Sequence, residues 1–461
     1  MWFDLPVELQ RQCLQQLDVP TLKSFRLVNK AVLELSTEIL FGTVSLYPSD
    51  ESAEKYTAIL ENETLRALVR TAIFNTNDDP DVDDSNRNRE ESDFLESYDE
   101  AVRKVSQFSN LREVQVKFAR ACAVESRTSG WDKEVAETVS FRTDVLLALF
   151  EGLDSEEHEL EHFDTLTLKN LQDWVSEEIY TSPHFVAVLR KIRKLHLCIA
   201  TESDEAAPED SINKIGCHRM FNDNLIERWL KPVQGQLTHL SLWATECFWG
   251  FWPFCDLRAT HFPHLKSLSL GNWTIVHDWQ IDWILSHAPT LEELLLDDCP
   301  IVTVCKVDNV QVKPHFPDLE PVHVNERFNT KTYVKEIALR WHEALAQFRT
   351  GLPHLKHFAL GQGNWDEGTM FEERYELLNE LRWDRYHVFD KGIGPSQWMG
   401  GGGYWVLARA RAGQEWEKRS HKFVTGGKGR DEFLFPNCDK KDLETLVELL
   451  EAVEERAGAR V

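Results

Sequence analysis

The sequence predicts a mixed α/β chain: a three-helix module at the N-terminus, an array of short strands alternating with helices, and an α+β cap. Three observations carry this. The first forty-odd residues keep a helical period in three short blocks, a six-residue apolar cadence returns seven times between residues 108 and 365, and residues 442–454 carry one apolar stripe. The implied organisation is a module over 1–46, then a linker over 47–107 holding an acidic, disordered loop near 76–100. The array covers 108–365, and an extension with a capping helix covers 366–461.

The N-terminal blocks come first. Leu5, Leu9, Cys13, Leu14 and Leu17 fall about four apart, which places them on one face of a helix. Pro6 suits the first turn, where its missing N–H would have no partner. Asp18 offers an oxygen to cap a second helix, with Pro20 tolerated in its first turn and Leu22, Phe25 and Arg26 following. Asn29 can cap a third, which carries Val32, Leu33, Ser36 and Leu40 inward. Three such helices bury too little surface to stand alone, so their apolar faces form either a lid on the chain or a surface for a partner.

The run LPVELQRQCLQQLDVPTLKSFRLVNK resembles an F-box, the segment that docks on the Skp-type adaptor of cullin-based ubiquitin ligases. The resemblance covers residues 4–41, with the Leu5-Pro6 start, the Leu17-Asp18 turn and the Leu27-Val28-Asn29-Lys30 step in register. It departs at Val32, where many members carry an aromatic residue, and at Cys13, where a larger aliphatic is usual. It implies adaptor contacts at Leu5, Pro6, Leu9, Cys13, Leu14, Leu17, Leu22, Phe25, Arg26, Val28, Asn29 and Lys30. Through the adaptor it also implies a cullin and a RING subunit.

Thr43 to Tyr47 alternates like a strand that Pro48 stops, and residues 51–70 look helical. The polar run from Asn75 to Glu100 holds too few large apolar residues to repay its ordering entropy, which predicts the loop. The cadence then begins: apolar-x-x-apolar-x-apolar at Leu111, Phe163, Ile192, Leu237, Leu265, Leu291 and Leu355. Copies at 237, 265 and 291 stand 28 and 26 apart, while the others are separated by 29 to 64 residues. This is the cadence of an irregular leucine-rich-repeat solenoid with strands concave and helices convex. At Leu291 it extends through Asp297-Asp298-Cys299-Pro300-Ile301, with Cys299 where a side chain hydrogen-bonds the turn.

Helical patterns recur between the copies at 141–150, 185–191, 225–230, 279–285 and 337–348. Past 361 the cadence stops. Residues 371–381 look helical, 385–389 and 404–407 look like strands around the Gly400–Gly403 run, and Leu443, Leu446, Val447, Leu450 and Val453 share a docking stripe. With its helical module in front, the layout is similar to that of the F-box/leucine-rich proteins of filamentous fungi.

Composition narrows the function classes. A formal charge of −26 over 461 residues disfavours nucleic acid and anionic membranes, whose phosphates are held largely by Lys and Arg. No apolar run reaches bilayer length and no signal-peptide pattern opens the chain. Nine cysteines, an odd number without a CxxC pair, fit reduced thiols and a cytoplasmic or nuclear location.

Two constellations suggest metal chemistry. His158-Glu159-Leu160-Glu161-His162 satisfies H-E-x-x-H, which on a helix presents two zinc-binding imidazoles one turn apart with Glu as base. Its acidic flanks are those of a solvated turn, and His162 abuts a cadence strand. Cys247, Cys255, His261 and His264 match no zinc-finger spacing, and His342-Glu343 lacks a second histidine because residue 346 is Ala. The glycines at 392, 394 and 400–403 match no nucleotide-binding fingerprint, and no nucleophile elbow is present.

What remains is a surface. Between the inward residues of each cadence strand, alternation turns Lys194, His196 and Cys198, then His239, Ser241 and Trp243, to the opposite face. Ser267 and Ser269, Glu293 and Leu295, and His357 and Ala359 extend those rows. Trp273 and Trp365 lie just beyond the strands. The expected substrate contacts are His196, His239, Trp243, Ser269, Trp273, Glu293, His357 and Trp365. The sequence therefore reads as a non-catalytic substrate receptor with no cofactor or metal, holding the adaptor at one end and an unknown protein on the array. The alternatives are an adaptor-bound scaffold without a ubiquitination role and a zinc metallopeptidase working through His158, Glu159 and His162.

Overall fold

The computed structural model describes residues 5–77, 96–120, 122–123, 137–174, 176–201, 220–244, 248–327, 329–361, 377, 379–381, 385–390, 420–423, 431–434 and 436–458. Two compact units result. The first holds Met1–Ala119, Ser126–Leu168 and Ser176–Ile192, and the second holds Arg120–Glu125, Lys169–Val175 and Arg193–Val461.

Three helices open the first unit: α1 (Val7–Gln15), α2 (Val19–Phe25) and α3 (Lys30–Phe41). The Asp18 carboxylate caps α2 by accepting from the Thr21 amide at 2.8 Å, and Pro20 sits in its first turn. Leu14, Leu22 and Leu35 make a small core, with Leu17, Phe25, Ile39 and Leu40 packed on it. Arg11 ties α1 to α3 by donating to both Glu38 oxygens at 2.9 and 3.0 Å.

The chain continues through β1 (Thr43–Leu46), α4 (Asp50–Glu61), α5 (Glu63–Arg66), β2 (Thr71–Asn75), α6 (Glu96–Arg103) and β3 (Glu113–Lys117). Two short strands, β4 (Cys122–Ala123) and β5 (Glu137–Thr138), precede α7 (Val139–Leu153), β6 (Thr165–Gln172), α8 (Glu177–Thr181) and α9 (Pro183–Leu189). β1, β2 and β3 are parallel neighbours in chain order, and β6 follows β3. Each new strand is hung in the same way. Two successive amides donate to one carbonyl of the strand before: Arg70 and Thr71 to Gly42, Arg112 and Glu113 to Arg70, Asp164 and Thr165 to Arg112.

α7 fills this unit's core. Gly152 lets it approach α6 closely, since a Cβ there would stand 2.8 Å from the Arg103 carbonyl oxygen. A buried ion pair joins Arg142 to Glu137 at 3.0 Å, and the guanidinium lies over the Phe118 ring at 4.9 Å. Glu137 also accepts from the Thr76 hydroxyl and the Ala119 amide, so its lone pairs are occupied.

Two departures from the sequence reading belong here. Parallel pairing starts at Thr43 rather than near residue 108, because Phe41-x-x-Val44-x-Leu46 and Val69-x-x-Ala72-x-Phe74 already carry the cadence, with valine, alanine and phenylalanine replacing leucine. Val44, Leu46, Val69, Ala72 and Phe74 are all buried. The expected acidic loop is also narrower than 76–100: Thr76 is buried against Glu137, and α6 buries Tyr98, Ala101 and Val102. Residues 78–95 of that loop lie outside the described residues.

In the second unit, β7 (Lys194–Ala200), β8 (His239–Ala244), β9 (Ser267–Gly271), β10 (Glu293–Asp297) and β14 (His357–Gly361) form a parallel run in that order. Register is in rows: Lys194, His239, Ser267, Glu293 and His357 are partners, as are His196, Ser241, Ser269, Leu295 and Ala359. The paired-amide device recurs from Arg193 to Thr238, Lys266 and Glu292. The cadence leucines of these strands are buried on one face.

Helical stretches separate the strands: a π-helical segment (Met220–Leu230), α10 (Asp278–Leu285), α11 (Asn309–His315) and α12 (Trp341–Gly351). After β9 and β10 the chain turns at Asn272 and Asp298, with φ of 54° and 50°. Asn272 donates its amide to the Ala244 carbonyl at 2.7 Å, and the Cys299 thiol bonds the Leu270 carbonyl at 3.3 Å. Polar residues at the turn thus satisfy carbonyls that the ladder leaves open.

The long interval before β14 supplies β11 (Ile301–Val307), β12 (His323–Asn325) and β13 (Thr330–Glu336) to a second sheet ordered β12-β13-β11-β15, whose last strand, β15 (Tyr386–Asp390), follows β14. Strands β16 (Ser420–Phe423) and β17 (Asp431–Leu434) pair antiparallel. The last helix, α13 (Asp439–Gly458), buries Leu446, Leu449 and Val453. Its stripe is rotated from the expected one, for Leu443 and Val447 are exposed. Residues 377 and 379–381, expected to be helical, are not; the rest of 371–381 and the strand expected at 404–407 lie outside the described residues. No described helix is long and apolar enough to cross a membrane.

Asp442 anchors α13. Its Oδ1 accepts from the His342 amide at 3.0 Å and lies 2.9 Å from His342 Nδ1. Its Oδ2 accepts from Arg385 Nε at 3.0 Å, Arg385 Nη2 at 2.9 Å and the Tyr386 hydroxyl at 2.9 Å. Burial and the Asp442 charge push the Tyr386 hydroxyl far up, so it stays a donor.

Candidate adaptor-docking surface

The N-terminal helices divide their apolar residues in two. Leu14, Leu17, Leu22 and Phe25 turn into the small core. Leu5, Leu9 and Cys13, expected on the same face, stand out in solvent with Pro6. The reason is angular: a stripe of five residues is wider than the core that three short helices can close, so its outer edge stays bare. Leu27 is 84% exposed and Val28 73%, and Val7, Val19 and Leu33 are exposed as well. Seven of the fourteen exposed large apolar side chains among the described residues fall between Leu5 and Leu33. Scattered single exposures are ordinary, but this density in one small module marks an interaction surface.

Among the remaining predicted adaptor residues, Asn29 and Lys30 are exposed. Arg26 holds its guanidinium 5.5 Å from the centre of the Phe41 ring. Of the three expected inward residues around Leu40 on α3, Val32 and Ser36 are buried and Leu33 is exposed. The signal for Val7, Val19 and Leu27 was present as apolar residues off the helical stripe, and a reading that follows only the stripe passes over them.

The predicted substrate face is corrected more heavily. His196, Trp243 and Ser269 are buried in the strand rows, and Trp273 packs in the core against Trp249 and Trp283. Cys198 packs on Trp243, and Leu377 covers Leu295 and Ala359. Alternation predicts which face a residue takes but not whether the chain covers that face. Trp365 lies outside the described residues.

Only the first row is partly open. There the Glu293 carboxylate lies 2.6 Å from His357 Nδ1 and accepts from the Ser267 hydroxyl at 2.5 Å. His239 stands in the same row, its Nδ1 2.9 Å from the Thr238 hydroxyl. Burial pushes the Glu293 carboxyl up, but hydrogen bonds from His357 and Ser267 and the charges of His357 and His239 outweigh it and hold the group below the usual carboxylate range.

The zinc motif does not assemble. His158 and His162 are exposed in backbone that is not helical, beyond the end of α7, so the two imidazoles are not held one turn apart on a helix. Cys255 is fully buried, which pushes its thiol far up, and His261 stacks on His287. Cys247 lies outside the described residues.

No curated protein matches the chain. Residues 2–41, the helices that leave their apolar residues in solvent, match the F-box domain.

Proposed function

We propose that this chain is the substrate-recognition subunit of an SCF-type ubiquitin ligase and is itself non-catalytic. F-box domains bind Skp-type adaptors in such complexes. The observation that carries the reading is the coincidence of the F-box match with the densest exposed apolar cluster in the described residues. Leu5, Pro6, Leu9, Cys13, Leu27 and Val28 would meet the adaptor, while Leu14, Leu17, Leu22 and Phe25 hold the helices that present them.

The rest of the chain is read as an irregular leucine-rich array that holds a protein substrate. Support comes from the cadence in sequence, from strands at each of its copies, and from the repeated pair of amides on one carbonyl. His239, Glu293 and His357, in the half-open row, are the proposed contacts. The mechanism is proximity: tethering raises the effective concentration of substrate lysines beside the ubiquitin-carrying enzyme.

Co-precipitation of the full chain with a Skp-type adaptor tests the reading. A variant with Leu5, Pro6 and Leu9 all changed to alanine should lose the adaptor while keeping its thermal midpoint, because these side chains are exposed. Undiminished binding by that variant would overturn the assignment. Adaptor binding without autoubiquitination in a reconstituted ligase would leave a scaffold instead of a receptor.

A further inference from the structure

Among the described residues, His342, Cys438 and Asp442 form a group whose potential ligand atoms all lie within 4.8 Å of one another. His342 stands in the first turn of α12, Cys438 directly precedes α13, and Asp442 follows one turn later. His342 Nδ1 is 2.9 Å from Asp442 Oδ1, and Cys438 Sγ is 3.4 Å from Asp442 Oδ2. A zinc ion, whose bonds to nitrogen, oxygen and sulfur run roughly 2.0–2.3 Å, can reach atoms gathered within that 4.8 Å. His342 and Cys438 are partly exposed, so water has access to a fourth position, while Asp442 is sealed.

The surroundings fit a ligating carboxylate. Arg385 and Tyr386 hold Oδ2 from behind and fix the orientation of Oδ1, as outer partners do for metal ligands. Arg385 also pairs with Asp439 at the start of α13. The Cys438 thiol already bonds the Tyr386 hydroxyl and the Asp442 carboxylate.

We propose that His342 Nδ1, Cys438 Sγ and Asp442 Oδ1 bind a divalent, thiolate-accepting metal ion of the zinc class that clasps α13 to α12. On binding, the Cys438 S–H bond breaks, a sulfur–metal bond forms and the proton leaves to solvent; nothing is oxidised or reduced. His342 finds its companions a hundred residues away, which is why no motif on its own helix announces them.

Titration of the chelator-treated full chain with Co2+ tests the site. A thiolate-to-cobalt band in the near ultraviolet, saturating at a single equivalent and displaced by Zn2+, is expected. Cys438→Ser should abolish that band, and His342→Ala should weaken binding by at least about tenfold, the minimum cost seen even for outer partners. Absence of the band in the wild type, or its persistence in Cys438→Ser, overturns the proposal. Native mass spectrometry of wild-type protein with and without chelator guards against a misfolded variant: one zinc mass per chain supports the site, and none removes it.

Discussion

In the N-terminal helices leucine and valine stand in water, while in the strands of the second unit Ser241, Ser269 and His196 are sealed from it. Both arrangements cost free energy in an isolated chain: bare apolar area forgoes burial, and a hydroxyl such as that of Ser241 or Ser269 is buried without a hydrogen-bond partner among the described residues. They differ in what relieves the cost. An exposed apolar cluster is relieved by a partner surface, whereas buried polar rows must be relieved, if at all, within the fold. The comparison therefore separates a surface that a partner could cover from a body that the chain covers itself.

The sharpest way to break it is through two ion pairs in the same unit. Arg142 and Glu137 are almost wholly buried, so Arg142→Ala leaves a carboxylate in the core and should destabilise by about 3–5 kcal/mol in urea denaturation. Arg11 and Glu38 in the N-terminal helices have the same chemistry and comparable distances but remain partly in solvent. Arg11→Ala should cost under about 1 kcal/mol. Equal losses would mean that the helices are packed like the body, and the docking reading would fail with that result.

The leucines give a smaller contrast. Leu14 is fully buried and Leu9 is exposed, though they belong to one helix and one apparent stripe. Leu14→Ala should lower stability by roughly 2–4 kcal/mol, the loss expected when a core leucine leaves a cavity. Leu9→Ala should change it by less than about 0.5 kcal/mol while weakening adaptor capture. A Leu9 variant that melts early but still holds the adaptor would reverse their roles.

These contrasts also show how far the sequence could be read. Helical period and cap residues located the three helices, and Asp18 caps α2 as its position before Pro20 suggested. The cadence located every strand at which leucine marks it, but β2 escaped because Val69, Ala72 and Phe74 keep the spacing without the residue type. Register followed, since partners in the rows stand at equal offsets in each copy. Cover did not. Whether Ser269 or Trp243 meets water depends on segments distant in sequence, and so does the meeting of His342 with Asp442. Period encodes which side of a strand a residue takes; what lies over that side is a long-range fact.

The smallest expected effect bears on the sealed polar groups. His315 Nε2 lies 2.8 Å from the Phe251 carbonyl and so carries a proton, which leaves its Nδ1 to accept from His277 Nε2 at 2.9 Å. This chain requires the His315 ring to be neutral. Burial, with the Arg258 charge, lowers His277 to about 4 against the pull of Asp278 and Asp256. Burial, with the neighbouring His277, lowers His315 to about 3 despite the Phe251 hydrogen bond and Asp256. The folded state then binds fewer protons than the unfolded one, whose histidines titrate near about 6.5. Stability is complete above that value and falls as pH drops from it toward about 4. Between pH 7 and 6 the loss should stay under about 1 kcal/mol per histidine, and His315→Gln should flatten the slope. A wild-type protein with an equal slope in that variant would show that the rings accept a proton in place, and that the body buries charge as readily as it buries hydroxyls.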